Sequence, residues 1–436
     1  MGFENKKVLL AVTGSISAYK ACDLVQRFKD EGAIVKVIMT QSAAQLVHPN
    51  TFAILTGSLV STDIFSSSEK GKMDHIDLAR WADVFVIAPC TAHTLGEIAN
   101  GLTGSIVSLT YLVFDKMVFV APAMNSVMLA AESVQRNIAL LKNKGDVILP
   151  TGEGILACGE VGYGKLLEVS QIVHFIKSAL TMKARKTKIE NLAGKKVLMS
   201  LGHTEEKWDD VRFISNRSSG KTGLALARIL HLAGAKVHLI AGVMEDSLPP
   251  GFRVTRVNTS AEFYESMLAD QSESDIIIMA AAIADFIPAA FIVGKQKDSN
   301  SLAQIELKPF PNILMELGKR KKAPQILVGF ALETENAIAH AKKKMLERNC
   351  DLMVVNNPVD ATSGPATASP SNTMGPGVNQ SLGFGKNRVK AALLFNPIQG
   401  KNLEVHSAKE TFLSEWDKDE LAAEIVDSID KLIGNG

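Results

Sequence analysis

The chain has 436 residues, of which 46% are hydrophobic and 21% charged, and its 47 basic and 46 acidic side chains leave a net charge of +1. That length exceeds one hydrophobic core and fits two domains, and the even charge removes the electrostatic case for binding nucleic acid or an anionic membrane. No apolar run reaches membrane-spanning length, no secretory signal opens the chain, and Cys22, Cys90, Cys158 and Cys350 have neither metal nor disulfide spacing, so a cytoplasmic, reducing compartment is expected.

Strand and helix signals alternate through most of the chain, which predicts an α/β fold with mainly parallel sheets. In the first half, KKVLLAVTG, VKVIMT, ADVFVIAPC, KMVFVAPAMN and GDVILP read as buried strands. Residues 21–31 and 127–143 read as amphipathic helices. The first strand runs into GSISAYK. A Gly-Ser turn that opens a helix at a strand's carboxyl end is a place where α/β folds hold phosphate, although a plain tight turn has the same sequence. Two further strands end in IAPCTAHT (87–94) and VAPAMN (120–125), small polar groups where open sheets bind ligands. Residues 154–165, GILACGEVGYGK, are glycine-rich and carry the thiol of Cys158. Such a stretch predicts a mobile or tightly folded loop and not a regular element.

Residues 181–193, TMKARKTKIENLA, are basic, lack a strand signal and are read as the linker between domains at 1–180 and 194–436. The second half then restarts with KKVLMSLG, KVHLIAG, FRVTRV, SDIIIMAAAIADF, ILVGFALE and CDLMVVNN. Both halves open with a KKVL strand, a polar turn and a helix ending in Gly-Ala (Gly32-Ala33, Gly234-Ala235), two copies of one architecture. ISNRSSGKTG (214–223) is not a Walker A loop, because Ser215 stands where the first glycine is required. It still offers hydroxyls and Lys221 at a helix start, which suits an anion. Residues 360–383 are rich in Pro, Ser, Thr and Gly and are expected to form an irregular surface loop.

GSISAYK, HIDLARWAD, APCTAHT, PAMN and ACGEVGYGK, in this order, resemble the phosphopantothenoylcysteine decarboxylase family over nearly all of residues 6–178. The resemblance implies a flavodoxin-like domain that binds FMN through Gly14, Ser15, Ser17, Thr40, Pro89, Thr91, Ala123 and Met124. It implies His75 as the base beside the flavin, Asn125 as the amide on the substrate carboxylate, and Cys158 as the thiol of the closing reduction. The chemistry fits these types. Oxidising a cysteinyl thiol lets the carbanion left by CO2 delocalise, and a flavin can take and return the hydride. Imidazole titrates near neutral pH, as a base for this step requires. Lys165 stands where the family has Arg, His93 where it has Asn or Asp, and 103–105 lacks the usual acidic or amide pair.

VRFISNRSSGKTG, AAAIADF, GKQK, VGFALET, CDLMVVNN and GFGKNRV resemble phosphopantothenate–cysteine ligases, from about residue 194 to the C-terminus outside the 360–383 loop. This implies a second Rossmann-like domain that joins L-cysteine to 4'-phosphopantothenate through an acyl-nucleotide, with Mg2+ and CTP, or alternatively ATP. By the family pattern Lys295 serves formation of the acyl-nucleotide and Asn216 the amide-forming step. Asp285, Lys295, Phe330, Lys344 and Arg348 fall where the nucleotide is bound; a solvated helix face is the plainer reading of Lys344 and Arg348. Asp298 replaces the last lysine of the family's Lys-x-Lys-Lys, and LGHTEEKWDD (201–210) departs from its Gly-Gly-Thr and Ile-Asp-Pro pattern. The pair of activities would make two consecutive steps of coenzyme A biosynthesis, in a homo-oligomer built from trimers and dimers. An NAD(P)-dependent dehydrogenase would need a GxGxxG that neither half has. A regulatory protein on a retired scaffold would have no chemical reason to keep His75, Asn125 and Cys158 together.

Overall fold

A computed structural model of the chain describes residues 2–64, 74–155, 159, 161–185, 189–295, 305–357, 388–396 and 413–434. The chain divides into two compact units, one made of Met1–Thr181 and Pro249–Gly251 and a second made of Met182–Leu248 and Phe252–Gly436. Among the described residues no helix is long and apolar enough to cross a membrane.

In the first unit, strands β1 (Lys7–Val12), β2 (Ile34–Met39), β3 (Val84–Cys90), β4 (Val118–Pro122) and β5 (Val147–Ile148) form one parallel sheet of order β2-β1-β3-β4-β5. Every residue of β3 and β4 is buried. Burial on both faces is why these strands read as continuous apolar runs. Helices α1 (Lys20–Asp30), α2 (Gln41–Leu46), α3 (Pro49–Thr56), α4 (Asp74–Trp81), α5 (Ala92–Asn100), α6 (Ile106–Val113), α7 (Ser126–Ala130), α8 (Glu132–Lys144) and α9 (Val169–Ala184) complete it. Leu9, Phe85, Ile87 and Val120 pack on Ile106, Val107 and Tyr111 of α6.

Two expectations are corrected here. The single helix expected over 127–143 is two, because Ala131 is extended (ψ 134°) and α7 turns aside. The described residues on either side of 156–160 in the glycine-rich segment are not loop but paired antiparallel strands, β6 (Gly152–Ile155) and β7 (Val161–Lys165), which form a hairpin. Its glycines follow from a close approach: a Cβ on Gly164 would lie 2.2 Å from Met124 O. The hairpin therefore rests directly on the backbone that leaves β4, and Met124 N donates to Gly164 O at 2.9 Å.

The second unit contains β8 (Lys196–Leu201), β9 (Glu205–Lys207), β10 (Phe213–Ser215), α10 (Lys221–Leu232), β11 (Lys236–Ala241), β12 (Arg253–Arg256), α11 (Ser260–Asp270) and β13 (Ile276–Met279). It continues with β14 (Phe286–Pro288), β15 (Leu307–Pro309), α12 (Ile313–Arg320), β16 (Ile326–Leu332), α13 (Ala337–Glu347) and β17 (Leu352–Asn357). It closes with β18 (Arg388–Phe395), β19 (Ser414–Asp417) and α14 (Lys418–Gly434). The sheet runs β12-β11-β8-β13-β16-β17-β18-β19, parallel through β17 and antiparallel beyond. Met199, Ile278 and Val328 meet α10 and α14 on one face, while Leu198, Ile277 and Leu327 meet Phe263 and Ala341 on the other. Neighbouring residues thus serve opposite faces, as the pleat requires. Truncating one such side chain to alanine costs about 2–5 kcal/mol.

The segment expected as a linker is structured at both ends. Residues 181–184 belong to α9. Glu190 N and Asn191 N donate to the Asp430 carboxylate, and Leu192 is fully buried.

Candidate functional site

In the first unit the order β2-β1-β3-β4-β5 reverses between β1 and β3, and the crevice beyond their carboxyl ends is where such a sheet takes a ligand. Thr13, fully buried, joins the two strands there: its Oγ1 donates to Pro89 O at 2.7 Å and accepts from Thr91 N at 3.0 Å. Gly14 follows, and a Cβ on it would lie 2.5 Å from Ser42 Cβ in α2, so only glycine lets this turn press on that helix. Ser15 Oγ accepts from Ser17 N and lies 3.0 Å from Ser17 Oγ. Thr40, after β2, accepts from Ala43 N and caps α2. Thr91, after β3, accepts from Thr94 N and caps α5. After β4, Ala123 N donates to Cys90 O at 2.9 Å, and Met124 carries the β6–β7 hairpin.

Asn125 caps α7, with Val127 N donating to its Oδ1 at 2.8 Å. That bond orients the amide. His75 is the second residue of α4, whose start is brought to this end of the sheet by Asp74: Ser61 Oγ donates to the Asp74 carboxylate at 2.9 Å, and Met39 N, at the end of β2, donates to Ser61 O. His75 Nδ1 is buried with no hydrogen-bond partner. A buried unpaired ring nitrogen is costly unless a ligand completes it. The structure thus gathers His75, Asn125 and all eight expected cofactor residues at one end of one sheet, whereas Cys158 lies outside the described residues. Helix starts, four hydroxyls and an orphaned imidazole fit the phosphate and ring of a flavin mononucleotide.

Two of the places that depart from the family pattern, His93 and 103–105, meet at Glu97. Where 103–105 lacks a carboxylate, α5 supplies one: Ser105 Oγ donates to Glu97 Oε2 at 3.0 Å, and a Cβ on Gly104 would lie 2.4 Å from Glu97 Oε1. His93 Nε2 is 3.5 Å from Glu97 Oε1. Neither Thr13 nor Glu97 was singled out in the sequence. The first had a signal, its place before Gly14 at a strand end; the second had none. Burial raises the pKa of the Cys22 and Cys90 thiols and pushes that of Cys350 to about 12.

In the second unit the parallel strands, in order of their appearance, lie 3-2-1-4-5-6 and reverse between β8 and β13. Past the end of β8, His203 bridges both Val243 after β11 and Ala282 after β13. Its Nδ1 donates to Ser218 O at 2.9 Å. Asn216 Nδ2 donates to Ile283 O at 3.0 Å, and Ala284 N donates to Thr204 Oγ1. Residues 203–218 are thereby tied across the crevice, with Asn216 exposed at its edge. Asp285 is exposed beside it, and Phe330 is half-buried in β16.

Lys344 Nζ is 2.5 Å from Glu333 Oε1, just past β16, so its charge is directed toward the same end of the sheet. Lys295 is exposed, and the backbone just before it is held by residues 208–210: Ile292 N donates to Trp208 O at 2.8 Å and Gly294 N to Asp210 Oδ2 at 2.6 Å. Arg348 is not gathered with these. It caps α13 at the other end, where Asp351 N donates to Leu327 O near the start of β16, and its buried Nε has no hydrogen-bond partner. Residues 296–304 and 358–387, including Asp298 and the stretch 360–383, lie outside the described residues. Among the described residues no three His, Cys, Asp or Glu are placed to hold a metal ion. A Mg2+ carried on nucleotide phosphates does not require such a cluster.

Residues 3–181 match the family model described as "Flavoprotein", and residues 192–375 match "DNA/pantothenate metabolism flavoprotein C-terminal domain". The chain is 42% identical over 354 residues to "Coenzyme A biosynthesis bifunctional protein CoaBC" of Bacillus subtilis (strain 168), across 81% of this chain and 86% of that protein. It is 33% identical over 367 residues to the protein of the same name from Escherichia coli (strain K12), across 84% and 89%. A crystal structure of the C-terminal domain of CoaBC is 26% identical, covering 57% of this chain and 100% of that one, with a TM-score of 0.40.

Proposed function

Since the chain belongs to the family of coenzyme A biosynthesis bifunctional proteins, we propose that its second unit joins cysteine to 4'-phosphopantothenate and its first decarboxylates the product to 4'-phosphopantetheine. The observation that carries the reading is the gathering of two separate polar sites, each at the point where its own parallel sheet reverses.

In the first unit, Gly14, Ser15, Ser17, Thr40, Pro89, Thr91, Ala123 and Met124 would hold FMN, with the hydroxyls and helix starts toward its phosphate. Bound FMN supplies a reversible hydride acceptor for the cysteinyl group. His75 takes the proton released as the substrate thiol is oxidised. Asn125, its amide oriented by Val127, holds the substrate carboxylate without adding charge, so departure of neutral CO2 breaks no ion pair. The β6–β7 hairpin covers the crevice against water, and Cys158 gives the proton that accompanies return of the hydride to the enethiol left by CO2, which restores the thiol.

In the second unit the phosphopantothenate carboxylate attacks the α-phosphate of CTP and releases pyrophosphate. Lys295 meets the negative charge that grows at phosphorus. Lys344 lies toward the phosphates, and Asp285 and Phe330 toward the nucleoside. Asn216 then steadies the oxyanion formed as the cysteine amine attacks the acyl carbon, before the bond to phosphate breaks and the nucleoside monophosphate leaves. Mg2+ would travel with the nucleotide.

Purified protein incubated with phosphopantothenate, cysteine, Mg2+ and either CTP or ATP should yield phosphopantetheine by mass, and its absorption spectrum should show bound flavin. A colourless protein would remove the first half of the reading. Absence of phosphopantothenoylcysteine with both nucleotides would remove the second.

A further inference from the structure

We propose that Asp210 is a positioning residue for Lys295, fixing the backbone turn from which the lysine reaches the nucleotide; this rests on the role given to Lys295 above. Three consecutive residues meet the segment that ends at Lys295. Ile292 N donates to Trp208 O at 2.8 Å, Asp209 pairs with Ile292 as an isolated bridge, and Gly294 N donates to Asp210 Oδ2 at 2.6 Å. The two aspartates divide the work. Asp209 is fully buried, and its Oδ1 accepts from Val211 N and Arg212 N, which builds the local turn. Asp210 is exposed, and its carboxylate accepts from the amide of a residue 84 positions away.

Gly294 has φ +84° with nothing within 4 Å of where its Cβ would be, so glycine is there for its backbone and not for packing. A left-handed residue immediately before Lys295 decides the direction in which the lysine leaves the chain. A short bond from a charged acceptor to its amide holds that direction.

The test uses the full-length protein and the variants Asp210→Ala, Asp210→Asn and Lys295→Gln. Pyrophosphate release is measured with CTP, Mg2+ and phosphopantothenate, without cysteine, while decarboxylation of supplied phosphopantothenoylcysteine controls for folding. Asp210→Ala should slow release by about 10–100-fold at saturating CTP, with KM for CTP changed less than about threefold. Asn keeps an accepting oxygen and should recover to within about threefold of the parent. Amide exchange in the peptide spanning 292–295 should quicken in the Ala variant and not in the Asn variant. If Asp210→Ala releases pyrophosphate at the parent rate while Lys295→Gln does not, the clamp is wrong and the role of Lys295 stands. An Asn variant as slow as Ala also overturns the clamp. If Lys295→Gln is itself unimpaired, the role of Lys295 falls and the proposal with it.

Discussion

Thr13 and Pro89 are joined where the first sheet reverses: the Thr13 hydroxyl donates to Pro89 O at 2.7 Å and receives the Thr91 amide at 3.0 Å. One buried hydroxyl thus sets the mouth of the crevice. Thr13→Val keeps the shape and removes both bonds, leaving the Thr91 amide without its acceptor. The loss should be about 1–3 kcal/mol, together with a lower flavin-to-protein ratio on purification. Thermal melting and flavin absorbance check it. Unchanged values in both would mean that the hydroxyl is idle.

The hairpin should be sensitive at Gly164. Alanine there would place its Cβ 2.2 Å from Met124 O, and backbone cannot yield as a side-chain tip can. Gly164→Ala should displace β7 and abolish decarboxylation, with pyrophosphate release by the second unit preserved. Product analysis by mass reads both. Decarboxylation at the parent rate would show that the hairpin does not need this seat.

His75→Asn separates the two halves. It removes a base worth about 10²–10⁴-fold in rate and leaves the second crevice untouched. Phosphopantothenoylcysteine should accumulate. If this variant, still folded, also stopped making that intermediate, two independent sites would be the wrong description.

Lys295 and Asn216 should fail at different points. Lys295→Gln keeps length and removes charge, so no pyrophosphate should appear. Asn216 donates one N–H to Ile283 O, which orients its amide. Asn216→Ala should still release pyrophosphate but convert the acyl-nucleotide to product about 10²–10³-fold more slowly. Weighing the protein-bound species before and after adding cysteine distinguishes them. Accumulation in the lysine variant and not in the asparagine variant would reverse the assignments.

The second unit should weaken in acid through His238. Burial holds its pKa below the usual 6.5, the nearby Arg253 adds to this, and Asp270 opposes it. Its Nδ1 is 3.0 Å from Asp270 Oδ2 and its Nε2 is 2.9 Å from Thr255 Oγ1. Between the folded value and 6.5 the unfolded chain holds the proton more tightly, so stability rises with pH in that window and is lost as pH falls through it. Urea unfolding at pH 7.5 and 5.5 should show the drop in the parent and a smaller one in His238→Gln. Equal slopes would mean that the histidine is not a source of acid sensitivity.

Much of the fold is legible in the sequence because strands buried on both faces cannot alternate polar and apolar residues. KVLLAV, VFVIAPC and VFVAP announce themselves, and the small polar groups that follow each run lie at its carboxyl end. The residues expected to contact flavin each lie within a few residues of such an end. Other features are silent in local pattern. The glycines of 152–165 argue against a strand until Met124 O is found beneath Gly164. Nothing near Glu97 says that it fills the place left empty at Gly104, and nothing near Asp210 names Gly294. Local pattern records how each segment meets water and its own backbone, whereas pairings between distant segments depend on which strand ends the sheet order sets side by side. That order comes from packing the whole core at once, so only the tertiary structure could bring Asp210 to the amide before Lys295.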